Sequence, residues 1–161
     1  MQVNTNKFSW FQVPEDVKEL LILAAQTWED SVESEKYMQQ AIAKTGDNPD
    51  VLVAAYRYFY YKNNYFLALK IAKQLITTIR EAENFSDNWE ELKPILVQRC
   101  EEAKIRLYLN AYAASGLVLA KLGNLDEAKE ISIRIKQIDD KHDFGAGILL
   151  DILTRPAEED E

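Results

Sequence analysis

The sequence predicts an all-α stack of helical hairpins, on three observations. Residues 109–140 read as two short amphipathic helices joined at Leu122-Gly123-Asn124. Tyr112, Ser115, Gly116 and Leu119 form one helical stripe, and Leu125, Ala128, Ser132 and Ile135 form the other. The same pattern recurs upstream with a small residue, Ala68 or Ser34, in the place of Ala128. Finally, 47% of the chain is hydrophobic, with only five glycines and four prolines, as suits a helix-rich domain. One hairpin cannot bury its own stripes, so the copies are expected to pack on one another.

A segment at 1–14 precedes the first hairpin, 15–48. Pro14 suits a first helical position, and Glu15 and Asp16 sit favourably at the positive end of the helix dipole. Lys18, Leu21, Ile22 and Ala25 come before the turn, and Ser34, Met38 and Ala41 follow it, which makes this the most degenerate copy. Thr45-Gly46-Asp47-Asn48-Pro49 then reads as helix stop, loop and restart.

The second hairpin, 49–82, carries Leu52, Ala55, Tyr56 and Phe59 on its first helix. Asn63-Asn64 forms its turn, and Tyr65, Ala68, Ala72 and Leu75 mark its second helix. The step from Ala68 to Ala128 is longer than the step from Ser34 to Ala68, so a segment is inserted before the third hairpin, 109–142. Within it Asp87 and Glu90 look like a capping box. After Pro94 the series Leu96, Cys100, Ala103, Leu107, Ala111, Ala114 predicts one long helix running into the third hairpin, so the insert at 87–108 is an extra or extended helix. A closing helix at about 144–153 covers the end of the stack, and 155–161 is an acidic tail. The whole of 15–154 reads as one helical domain.

These blocks resemble the tetratricopeptide repeat (TPR), a helical hairpin with a period of about 34 residues. The resemblance is carried by the second and third hairpins. It implies a right-handed α-α superhelix whose first helices line a concave groove for a partner segment. Groove positions would be Asp16, Glu19, Leu23, Gln26 and Thr27 in the first hairpin, and Asp50, Val53, Arg57, Tyr60 and Tyr61 in the second. Asn110, Ala113, Leu117, Ala120 and Lys121 complete it. The Lys/Asn/Arg clamp of TPR co-chaperones that grip a C-terminal carboxylate is missing: Glu19, Leu23, Ala54, Asn110 and Ala114 stand there.

A net charge of −8 argues against nucleic acid as a partner. The charge is uneven, with eight acids and three bases in 15–48 against two acids and five bases in 49–82. No apolar run approaches the roughly 20 residues that span a bilayer. MQVNTNKFSWF lacks the layout of a secretory signal, and Cys100 is the single cysteine; the expectation is a cytoplasmic protein.

Chemistry has few candidates, and the expectation is a protein that is not an enzyme and holds neither metal nor cofactor. His142 is the only histidine, which leaves no triad or paired-histidine motif. Asp139-Asp140-Lys141-His142-Asp143 reads as a solvated helix end before it reads as a metal site. Arg99 and Lys104 could activate the Cys100 thiol, but its spacing from Leu96 and Leu107 favours a packed cysteine.

The aromatic residues carry more. Tyr56, Tyr58, Phe59, Tyr60, Tyr61, Tyr65 and Phe66 fall close together, and no helix buries positions 58 to 61 all at once. Exposed Tyr is a contact residue. The expected partner-binding set is Arg57, Tyr60 and Tyr61, flanked by Leu23, Gln26, Leu117 and Lys121. The alternative is that Tyr60 and Tyr61 pack on the inserted helix. Phe8, Trp10 and Phe11 could cap the first hairpin, fill the groove or form a dimer contact. Trp28 reads as near-core, and Trp89 as an anchor of the insert. The expected role is an adaptor or assembly chaperone. A small dimeric secretion-type chaperone and a self-associating structural repeat protein are the alternatives.

Overall fold

The computed structural model describes residues 13–45 and 47–138. The aromatic segment at 8–11, the histidine cluster at 139–143, the closing helix at 144–153 and the acidic tail lie outside the described residues. Seven α-helices follow one another among the described residues: α1 Glu15–Gln26, α2 Ser31–Thr45, α3 Pro49–Tyr61, α4 Tyr65–Glu83, α5 Trp89–Gln98, α6 Ala103–Lys121 and α7 Leu125–Ile138. No strand occurs among the described residues, so the fold is all-α.

Three hairpins organise these helices. α1 packs on α2, α3 on α4 and α6 on α7, while α3 also touches α2 and α4 runs along α6. The small residues at the tight positions, Ser34, Ala68 and Ala128, are all fully buried. A larger side chain there would hold the paired backbones apart.

The turns of the second and third hairpins are the same turn. Lys62, Asn63 and Asn64 donate their amides to the carbonyls of Tyr58, Tyr60 and Phe59; Leu122, Gly123 and Asn124 donate to Val118, Ala120 and Leu119. The middle residue is left-handed in both, with φ of 62° at Asn63 and 91° at Gly123. Asn and Gly are the residues that adopt this conformation at least cost. The second helix of the first hairpin starts as that of the second does. Asp30 Oδ1 accepts the Glu33 amide at 3.2 Å, and at the corresponding position Asn64 Oδ1 accepts the Leu67 amide at 3.3 Å.

The insert departs from its reading. No single helix runs from Pro94 into the third hairpin: Pro94 lies inside α5, and the chain breaks between Gln98 and Ala103. Arg99 holds the break, reaching Glu102 at 2.9 Å and Glu83, at the end of α4, at 2.7 Å. The apolar series misled because Leu96 on α5 and Ala111 on α6 enter a common core from separate helices. Nor is Asp87 the cap of α5. Asn88 accepts the Glu90 and Glu91 amides, while Asp87 pairs with Arg80. Pro14 likewise stands one residue before α1, as its cap.

Candidate functional site

α3 is apolar almost all round, burying Val51, Leu52, Val53, Ala55, Tyr56, Tyr58 and Phe59. Arg57 and Tyr61 remain exposed one turn apart, with Tyr60 half-buried beside them. That strip faces α6. Tyr56, Arg57, Tyr60 and Tyr61 line one side of a cleft of about 180 Å³, and Asn110, Ala114, Leu117 and Val118 line the other. Pockets that enclose small molecules start at about 300 Å³, so this cleft is sized for a side chain or two of a larger ligand.

The rim is aromatic and ordered by its own contacts. Tyr60 meets Tyr61 edge-on at 5.6 Å and Tyr65 at 5.8 Å. Tyr65 donates its hydroxyl to Asn63 Oδ1 at 3.0 Å, which fixes the outer ring to the turn. Burial raises the Tyr60 phenol above its ordinary range, and the nearby Tyr65 and Tyr61 push the same way. Burial raises Tyr56 too, opposed by the Arg57 guanidinium beside it. Both phenols are neutral donors at physiological pH. Arg57 is the one charged side chain among these lining residues. The arrangement suits contact with a peptide: an apolar floor, aromatic edges and a single cation.

Four expected residues therefore meet: Arg57, Tyr60, Tyr61 and Leu117. Tyr60 and Tyr61 face α6 and not α5. Leu23, Gln26 and Lys121 are exposed but do not line the cleft. Asp16 pairs with Lys44 at 3.0 Å, and Asp50 is half-buried, its carboxyl raised by burial. Tyr56 and Val118 are not in the expected set. Tyr56 reads as core, and only the position of α6 shows that its edge reaches the cleft. Cys100 is half-buried at the break between α5 and α6 and packs against the core.

Trp89 anchors the insert. Its indole N–H donates to Gln137 Oε1 at 3.2 Å, and the Arg134 guanidinium lies 4.9 Å from its ring. α5 is thereby held on α7, away from the α3–α6 cleft. Leu125, expected in the buried stripe of the third hairpin, is instead 52% exposed, because α7 begins there at the open turn.

Among the described residues no helix is long and apolar enough to cross a membrane, and no group of three or more His, Cys, Asp or Glu could hold a metal ion. Fold and cleft together define an all-α helical-repeat protein. Over 129 residues the chain is 31% identical to the "Uncharacterized 19.8 kDa protein in nifW 5'region" of Azotobacter chroococcum mcd 1, a match that covers 78% of this chain and 72% of that one. The chain belongs to the family of that protein. No family model and no solved structure matches it.

Proposed function

We propose that this protein is a non-catalytic, cytoplasmic adaptor or assembly chaperone that holds a segment of another protein in the α3–α6 cleft. The observation that carries the reading is the convergence of Arg57, Tyr60 and Tyr61 with Ala114, Leu117 and Val118 around one small, open space. Apolar partner side chains would settle on the α6 floor between the tyrosine edges, and Arg57 would take a carboxylate or carbonyl at the rim. Leu23, Gln26 and Lys121 would contact only those parts of the segment that extend beyond the cleft. The hairpins would stack as TPR-like units in a right-handed superhelix. The recurrence of the same turn and cap hydrogen bonds from hairpin to hairpin supports that arrangement.

The test compares wild type with Arg57→Glu/Tyr61→Ala in affinity capture read by mass spectrometry, followed by titration of the captured partner's peptides. Both residues are exposed, so the variant is expected to melt within about 0.5 kcal/mol of wild type. A partner kept by wild type and lost by the folded variant supports the adaptor. Equal capture by both removes the cleft from the account.

A further inference from the structure

The two helices that form the cleft differ in charge from the rest of the chain. Acids make up 27 of the 161 residues, against 19 lysines and arginines. Yet α3 carries one acid, Asp50, and α6 carries none. The same two helices hold four bases: Arg57, Lys104, Arg106 and Lys121. Burial does not account for this asymmetry, because a buried helix face disfavours charges of either sign.

Position separates the four. Lys104 is engaged with Glu83 at 3.4 Å, and Arg106 is half-buried one turn before Asn110. Arg57 and Lys121 are exposed, and neither has an ion pair among the described residues. Arg57 stands on the α3 wall, hydrogen-bonded to the Tyr56 phenol. Lys121 lies one turn past Leu117 on the same face of α6, beyond the cleft floor. No carboxylate lines the cleft: Asp50 precedes Arg57 by two turns, half-buried and outside the lining. The other polar groups of the lining are the phenols of Tyr56, Tyr60 and Tyr61 and the amide of Asn110, all able to donate.

Resting on the adaptor reading, we infer that the partner segment held in the cleft is an acidic peptide. It places an apolar side chain between Tyr60 and Leu117, a carboxylate on Arg57 and a further acid towards Lys121. A guanidinium and a carboxylate form a charge-assisted pair, and the tyrosine edges beside Arg57 shield that pair from water. A basic segment would meet Arg57 with no carboxylate in the lining to answer it, a like-charge contact that favours its rejection. The net charge of −8 acts as a filter on the same choice. Long-range repulsion disfavours acidic chains in general, so only one with an apolar anchor for the α6 floor gains enough contact to stay.

Selection from a random-peptide display library on the full chain provides the test. Peptides that bind wild type and are lost on Tyr61→Ala carry Asp or Glu beside an apolar residue. Replacing those acids with amides weakens binding about tenfold, and by less at high salt. Arg57→Glu/Lys121→Glu selects basic flanks instead, a gain that damage to the fold could not produce. Lys70→Glu/Lys73→Glu makes the same change in net charge on the exposed face of α4 and keeps the acidic preference, which separates the cleft from the field of the whole chain. Tyr61-dependent peptides with neutral or basic flanks overturn the inference and leave the adaptor reading standing. An acidic preference that Lys70→Glu/Lys73→Glu abolishes equally does the same. A library that yields no Tyr61-dependent peptide overturns both.

Discussion

Tyr58 donates its hydroxyl to Ser34 Oγ at 2.9 Å, and Ser34 donates its own to the carbonyl oxygen of Ala24 at 2.7 Å. Two hydrogen bonds thus link α3, α2 and α1 through groups that are all buried. Trp28 lies edge-on to Tyr58 at 5.3 Å, and Lys62 Nζ stands 4.0 Å from the Trp28 ring centre while donating to the Trp28 carbonyl. The least regular hairpin is held to its neighbour by polar contacts that the other two hairpins do not use at this position, where they carry alanine.

This chain of bonds gives an ordered set of stabilities. Tyr58→Phe removes one bond and leaves Ser34 its donor role to Ala24, at a cost of about 1 kcal/mol. Ser34→Ala strands both the Tyr58 hydroxyl and the Ala24 carbonyl and costs more, about 2 kcal/mol. In a Tyr58→Phe background the Ser34→Ala step is cheaper, because one stranded group is already gone. Urea denaturation of the four proteins checks this; strictly additive losses would mean that the bonds are not coupled.

Trp89→Ala is expected to release α5 while leaving the hairpins folded. The change removes the Gln137 hydrogen bond and the Arg134 ring contact, with a loss of about 2 kcal/mol. Hydrogen exchange would rise through Trp89–Gln98 and stay low in α3 and α4. Uniform loss of protection would show that the insert is part of the cooperative core.

The clasp at Glu83 sets a pH dependence. A hydrogen bond from Arg99, then one from Lys104, holds the Glu83 carboxyl below its ordinary range, and Arg99 does the same to Glu102. Because the folded values are depressed, this stability is complete above the ordinary carboxylate value of about 4.3 and is lost as pH falls through the lowered values. Glu83→Gln should therefore be less stable than wild type at neutral pH, with the gap closing in acid. Thermal melts at several pH values read the difference; a gap that persists in acid would point to packing as its cause.

Much of the fold and half of the site were legible from residue spacing. Ser34, Ala68 and Ala128 marked three helix crossings because only a small side chain fits where backbones approach, and Asn63-Asn64 and Gly123-Asn124 marked turns because a left-handed residue is needed there. Arg57, Tyr60, Tyr61 and Leu117 followed from repeat alignment, which places equivalent faces on neighbouring helices. The break at Arg99 was not legible. Apolar periodicity records burial, and α5 and α6 bury their stripes in one core with or without a continuous backbone between them.

By itself the sequence determined that the chain is all-α, where its hairpins turn, and which side chains a helix must leave exposed. Those properties depend on residues within a few turns of one another. Only the tertiary structure decided that Tyr60 and Tyr61 face α6 and not α5, and that Leu23, Gln26 and Lys121 stand outside the cleft. Each of those depends on how far apart two helices lie, and that distance is set by side chains packing between segments remote in the chain.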